Sequence, residues 1–203
     1  MNWLSRATPC ARRLAPWSDQ DLVKYCFLAA VGCAMAIASL ASAPGRAGWF
    51  GAALALLMLA IAVVDAHRFI IPNGLSLAAL LLALANASEG SPQEMSGVVM
   101  ALLRGVVLGL AFLALREIYR RLRGRQGIGL GDVKLAVVAG AWLDWTLIPV
   151  AIELAALSAL AVYGVRQLVH RRSLRLTVRL PFGLFFAPAI WLCWLLDVRV
   201  LQF

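Results

Sequence analysis

Seven apolar runs, separated by short gaps that hold most of the charge, decide what this chain can become. They cover residues 23–43, 49–64, 73–87, 97–115, 132–145, 147–165 and 181–196. About 20 helical residues span a bilayer's hydrocarbon layer, so runs of this length are candidate crossings. With 63% of its residues hydrophobic and only 14% charged, a soluble domain of 203 residues could not hide so much apolar surface. The expected fold is therefore all-α: a polytopic transmembrane helical bundle of about seven spans. No polar stretch is long enough to fold alone. The predicted organisation is a polar-basic tail over 1–22, an added span and outer loop over 23–48, and one membrane domain over 49–203.

The net charge of +9 would suggest nucleic acid in a soluble protein. Here the arginines fall in the gaps between apolar runs, which points to membrane topology and anionic headgroups instead; membrane lipids are expected partners and nucleic acid is not. With the N-terminus inside, 16 of the 19 Lys and Arg lie on the inner side. Arg46 and Arg199 lie outside and Arg104 lies within a span. The positive-inside rule thus selects a cytoplasmic N-terminus and an outer C-terminus. Ala41-Ser42-Ala43 resembles a signal-peptidase cut site, but the long acid-bearing segment before the first run argues against cleavage. Cys10, Cys26, Cys33 and Cys193 form no Cys-x-x-Cys and have no histidine at zinc spacing. They read as small packing residues, and no metal or cofactor is expected. Gly105-x-x-x-Gly109 fits close helix packing.

Two acids stand out. Asp65 ends the second run and Asp132 begins the fifth, so the topology puts both at the cytoplasmic edge. Each alone also reads as a helix cap or a solvated end. Brought together, two carboxylates cannot both ionise cheaply, so one keeps a proton while the other stays charged. Such a pair can activate water against a carbonyl and protonate a leaving amine without a metal. Gly129-x-Gly131-Asp132 lets a backbone approach the second acid closely, because glycine has no side chain in the way. A phosphate-binding glycine loop would need a preceding strand and a Lys-Ser/Thr ending, and has neither.

Three segments together resemble the type IV prepilin peptidases, membrane aspartyl proteases with a Gly-x-Gly-Asp motif. Asp65 followed by Ile71-Pro72-Asn73 is similar to the family's first aspartate motif. Gly129-Leu-Gly-Asp-Val-Lys-Leu135 is similar to the second, and Leu180-Pro-Phe-Gly-Leu-Phe-Phe-Ala187 to a Pro-Phe-Gly element before the last span. The resemblance covers residues 50–190. It implies Asp65 and Asp132 as the catalytic pair, with Gly129, Gly131, Lys134, Pro72, Asn73, Pro181, Phe182 and Gly183 binding substrate or shaping the site. It also implies a prepilin or pseudopilin substrate, cut between a short basic leader and a hydrophobic helix, and a multi-pass protein of the bacterial inner membrane. Long members carry an N-terminal cytoplasmic domain with paired Cys-x-x-Cys and also N-methylate the product. The present chain resembles the short form of tight-adherence (Flp) pilus systems, which puts methylation in doubt.

Other polar residues have plainer readings. Lys134 could tune the pair, bind a substrate carboxylate or snorkel to headgroups. His67 and Arg68 could touch the substrate, but a solvated loop is the favoured reading. Arg104 and Glu153 lie at similar depth in the fourth and sixth runs and are expected to pair, since a buried membrane charge needs a partner. Two other functions fit paired membrane acids: a proton-coupled transporter, whose acids should lie near mid-membrane, and a non-catalytic pilus-assembly scaffold.

Overall fold

A computed structural model describes residues 19–88, 94–124, 127–170 and 181–201. Among them are seven α-helices and no strand: α1 Asp19–Ser42, α2 Arg46–Arg68, α3 Asn73–Ala87, α4 Glu94–Arg123, α5 Leu130–Trp142, α6 Leu147–His170 and α7 Phe182–Leu196. A five-residue π-helical turn, Asp197–Leu201, follows α7. Five helices (α1, α2, α4, α6 and α7 with its extension) are long and apolar enough to cross a membrane. Helices are the expected solution, because backbone groups in lipid must be satisfied within their own segment. Large apolar side chains such as Leu102, Val106 and Leu110 on α4, and Leu157, Leu160 and Val165 on α6, point outward. That is the surface a membrane protein offers to lipid.

Of the two short helices, α5 lies inside the bundle, whereas α3 buries one side, through Ser76, Ala79 and Ala83, and exposes Leu77 and Leu81 on the other. α3 has 15 residues and α5 has 13. At 1.5 Å per residue they reach only about 20–22 Å, short of the ~30 Å hydrocarbon core. Beyond Lys134, α5 is apolar and packs against α3, α4 and α7, as a helix enclosed by others must. Lipid tails are as apolar as leucine, so helices associate here through close contact rather than through the hydrophobic effect. Glycines provide that contact between α4 and α5. A Cβ at Gly109 would lie 2.5 Å from Val137 Cγ2, and one at Gly140 would lie 2.5 Å from the Arg104 carbonyl oxygen. The Gly105-x-x-x-Gly109 expectation therefore holds. The indole of Trp142 donates to the Ala79 carbonyl at 3.0 Å, joining α5 to α3, and that of Trp191 donates to Ser39 Oγ at 2.9 Å, joining α7 to α1.

Several boundaries differ from the sequence expectation. α4 runs through the basic segment 116–123, because arginine is a good helix former and Glu117 pairs with Arg120 and Arg121 at 2.8 and 2.9 Å. α5 begins two residues before Asp132 and stops at Trp142, leaving Asp144 and Trp145 in the turn to α6. Cys193 is a buried packing residue, but Cys26 and Cys33 face outward from α1. Cys10, most of the N-terminal tail and the second basic gap beyond His170 lie outside the described residues.

The expected Arg104–Glu153 pair does not form. Arg104 instead meets Asp144 at 2.6 Å, and its Nε donates to the Gly140 carbonyl at 3.3 Å. The cause is neighbourhood: α4 packs chiefly on α5, whereas α6 packs chiefly on α7, which leaves Glu153 on an exposed face. Asp197 also lies within charge range of Arg104 and Asp144, so this cluster joins α4, α5 and the end of α7. Asp144 is largely exposed, which limits the pair to about 1 kcal/mol. Arg104→Gln should therefore lower the thermal midpoint in detergent by a few degrees, whereas Glu153→Gln should leave it unchanged. Equal shifts would contradict this assignment.

Candidate active site

The two acids arrive from helix ends that meet at one end of the bundle. α2 stops just beyond Asp65. Phe69 adopts a left-handed conformation (φ 53°, ψ 33°), and its N–H donates to the Asp65 carbonyl at 2.9 Å. The chain leaves the helix there, passes through Ile70 and Ile71, and enters α3 at Pro72, whose φ of −65° is ready-made for the entry. Pro72 directly precedes the first helical residue, Asn73. Its carbonyl accepts from the Ser76 N–H at 3.2 Å and closes the first turn of α3.

Asp65 is buried, with only 5% of its surface exposed. It is held by the start of α7. The Leu184 N–H donates to Asp65 Oδ2 at 3.0 Å, and the Gly183 amide faces the same carboxylate. The free N–H groups of a helix's first turn are donors with a favourable dipole for an anion. Gly183 brings them this close: a Cβ there would sit 2.8 Å from Asp65 Oδ2. Pro181 caps α7, and its carbonyl accepts from Leu184 at 3.3 Å.

Asp132 stands in the first turn of α5 and is half-buried. Its Oδ2 accepts from the Gly129 N–H at 3.1 Å. Asp65 lies near enough for its charge to act on Asp132. The chain thus brings together two carboxylates, each tied to a backbone N–H. Asp65 lies deep, and Asp132 is the more accessible of the two.

The other predicted residues divide by contact. Lys134 Nζ donates to Asn73 Oδ1 at 2.5 Å, linking the segment after Asp132 to the start of α3. Phe182 turns toward Phe186 (centroids 5.3 Å apart), which stacks on Phe112 of α4 at 6.0 Å, so it supports the site from behind. His67 and Arg68 are exposed in the last turn of α2. Sequence reasoning missed the Leu184 amide and the full burial of Ile71; no residue pattern announces a backbone N–H. Among the described residues no group of three or more His, Cys, Asp or Glu side chains could hold a metal ion.

A family model described as the type IV leader peptidase family matches residues 52–165, a stretch that contains both acids. The chain belongs to this family. Relatives named prepilin leader peptidase/N-methyltransferase include one from Pseudomonas aeruginosa, 30% identical over 90% of this chain and 68% of its own length. One from Burkholderia pseudomallei is 30% identical over 88% of this chain and 62% of its own length. One from Aeromonas salmonicida is 29% identical over 71% and 49%. The chain thus spans about two thirds or less of the length of these curated relatives. No solved structure matches it. Family membership and five membrane-length apolar helices make it a membrane protein of the leader-peptidase class.

Proposed function

We propose that this chain is an aspartyl endopeptidase that removes the leader from type IV prepilins or pseudopilins at the cytoplasmic face of the inner membrane. The observation that carries the reading is the meeting of Asp65 and Asp132 at one end of the bundle, each accepting from a backbone N–H.

The pair works with one shared proton. The ionised carboxylate takes a proton from water as the water oxygen attacks the scissile carbonyl carbon. The protonated carboxyl donates to the leaving amine as the C–N bond breaks, and a second proton passes between them to restore the pair. Because the sites interact, the shared proton belongs to the pair rather than to either residue. The half-buried position of Asp132 gives the substrate its way in, and exposed Gly129 leaves room for an extended chain beside it. The cytoplasmic side is supported by the sequence topology, which assigns 16 of 19 Lys and Arg to the side of the acids.

Co-expression with a panel of prepilins and pseudopilins tests this directly. At least one should be converted to a product shortened by its leader, seen as a gel shift, with the new N-terminus at the start of the hydrophobic helix. If none is cut while the protein is present in membranes, the reading fails in favour of a scaffold.

Lys134 and Asn73 give a finer test. If their hydrogen bond sets the approach of α3 to α5, Lys134→Met and Asn73→Ala should each slow cleavage by roughly tenfold. The double variant should be no slower than either single one, because both remove the same contact. Multiplying losses would mean that Lys134 acts on something else, such as substrate.

A further inference from the structure

Ile71 differs from its neighbours. Phe69 and Ile70, just before it, are 57% and 64% exposed, whereas Ile71 is 4% exposed. What buries it is glycine. A Cβ at Gly131 would lie 3.1 Å from both Cβ and Cγ1 of Ile71 and 3.2 Å from its Cδ1. A Cβ at Gly183 would lie 2.9 Å from the same Cδ1. Gly131 directly precedes Asp132, and Gly183 belongs to the turn that holds Asp65. One branched side chain thus fills the space between the segment carrying one acid and the segment holding the other.

From this contact we infer that Ile71 is a positioning residue: its side chain, seated on Gly131 and Gly183, sets the separation of Asp65 and Asp132. The inference rests on the reading of those acids as the catalytic pair and goes beyond it, since it assigns the spacing of the pair to a residue that touches neither substrate nor water. The physical case is one of shape. Ile71 has branches at Cβ and few rotamers, so it is a stiff spacer. Pro72 restricts its backbone to the extended region, which fixes the direction from which it enters. The glycine before Asp132 accordingly has a second use: it admits the spacer. Removing that spacer would let the two segments approach and admit solvent, and a displacement of about 1 Å at a reacting pair can cost roughly 10²-fold in rate.

The test uses the full chain in detergent with a purified prepilin that the wild type cuts. Ile71→Ala should lower kcat by about 10- to 10²-fold with KM nearly unchanged, and Ile71→Val by a smaller factor. Ile148→Ala, a buried isoleucine at the other end of the bundle, removes the same atoms and should keep the wild-type kcat per folded molecule. Gly131→Ala should also slow cleavage, because its new methyl would lie 3.1 Å from Ile71 Cβ and Cγ1, tighter than ordinary contact, so that Ile71 has to give way. In the I71A background the same glycine change should cost less, since Cγ1 and Cδ1 are gone and only the Cβ contact remains. That rescue is a readout that general destabilisation would not produce. The inference is overturned if Ile71→Ala and Ile71→Val both cut at the wild-type rate, or if Gly131→Ala costs the same factor with and without Ile71. Should Ile71→Ala fail to fold, Ile71→Val and its combination with Gly131→Ala carry the same comparison, with a smaller but still positive rescue. Asp65→Asn and Asp132→Asn run alongside keep the two ideas apart. If these cut normally, the catalytic reading itself fails; if they are inert while the isoleucine variants behave as wild type, only the role of Ile71 fails.

Discussion

Asp65→Asn and Asp132→Asn are each expected to reduce prepilin cleavage by about 10³-fold or more while leaving the protein at normal levels in the membrane. The two halves of that expectation have separate causes. Asparagine keeps the shape of aspartate, and its Oδ1 can still accept a hydrogen bond. The bonds that place the acids, from Leu184 at 3.0 Å and Gly129 at 3.1 Å, can therefore survive in the variants, and so can the contact of α7 with α2. What the amide cannot do is hold or release a proton at neutral pH. Because the pair acts as a unit, the double variant should be no less active than either single one. The same logic predicts a bell-shaped pH profile. At low pH both carboxyls are protonated and neither can accept a proton from water; at high pH both are charged and neither can donate one. Normal cleavage by either amide variant would rule out the two-carboxylate mechanism. A rate that only climbs or only falls over the whole stable pH range would rule out the shared proton.

The legible parts of this molecule are those set by one-dimensional constraints. Lipid leaves helices as the solution for runs such as 97–115, so the helix number could be read directly. Helix ends were harder. The fourth apolar run ends at Leu115, where the charge begins, yet charge ends a hydrophobic run without ending a helix, and Glu117 with Arg120 and Arg121 continues α4 to Arg123. Asp65, Asp132 and the glycines before Asp132 were legible because acids and flexible backbone are conspicuous among apolar residues. Arg104 shows where such reading stops. Its depth points to Glu153, but depth does not say which helices are neighbours, and the partner is Asp144, in the turn that follows adjacent α5. Ile71 and the Leu184 amide are of the same kind. An isoleucine among many, and a backbone N–H with no letter of its own, acquire meaning only when α2, α5 and α7 are packed together.

Gly183→Ala should be nearly as damaging as loss of an acid, at roughly 10²-fold in rate, although it adds one methyl and removes nothing. That methyl would lie 2.8 Å from Asp65 Oδ2 and 2.9 Å from Ile71 Cδ1. Contacts below 3.0 Å force a shift, and few shifts are open. Asp65 is carried by α2, which packs extensively on α7; Ile71 is lodged against Gly131; the α7 backbone is what donates to Asp65. Relief therefore comes from the α7 turn withdrawing, which lengthens the Leu184 bond, or from the carboxylate rotating away from it. Either movement spoils the pair while the rest of the bundle keeps its contacts, so activity should fall much further than the thermal midpoint does. Gly164→Ala is the matched control. A Cβ there meets nothing within 4 Å, and alanine is the better helix former by about 0.5–1 kcal/mol, so that variant should be as active as wild type and no less stable. If Gly183→Ala behaves like Gly164→Ala, the start of α7 does not hold Asp65 in the working enzyme. The Pro-Phe-Gly segment would then have to act on the substrate rather than on the acid.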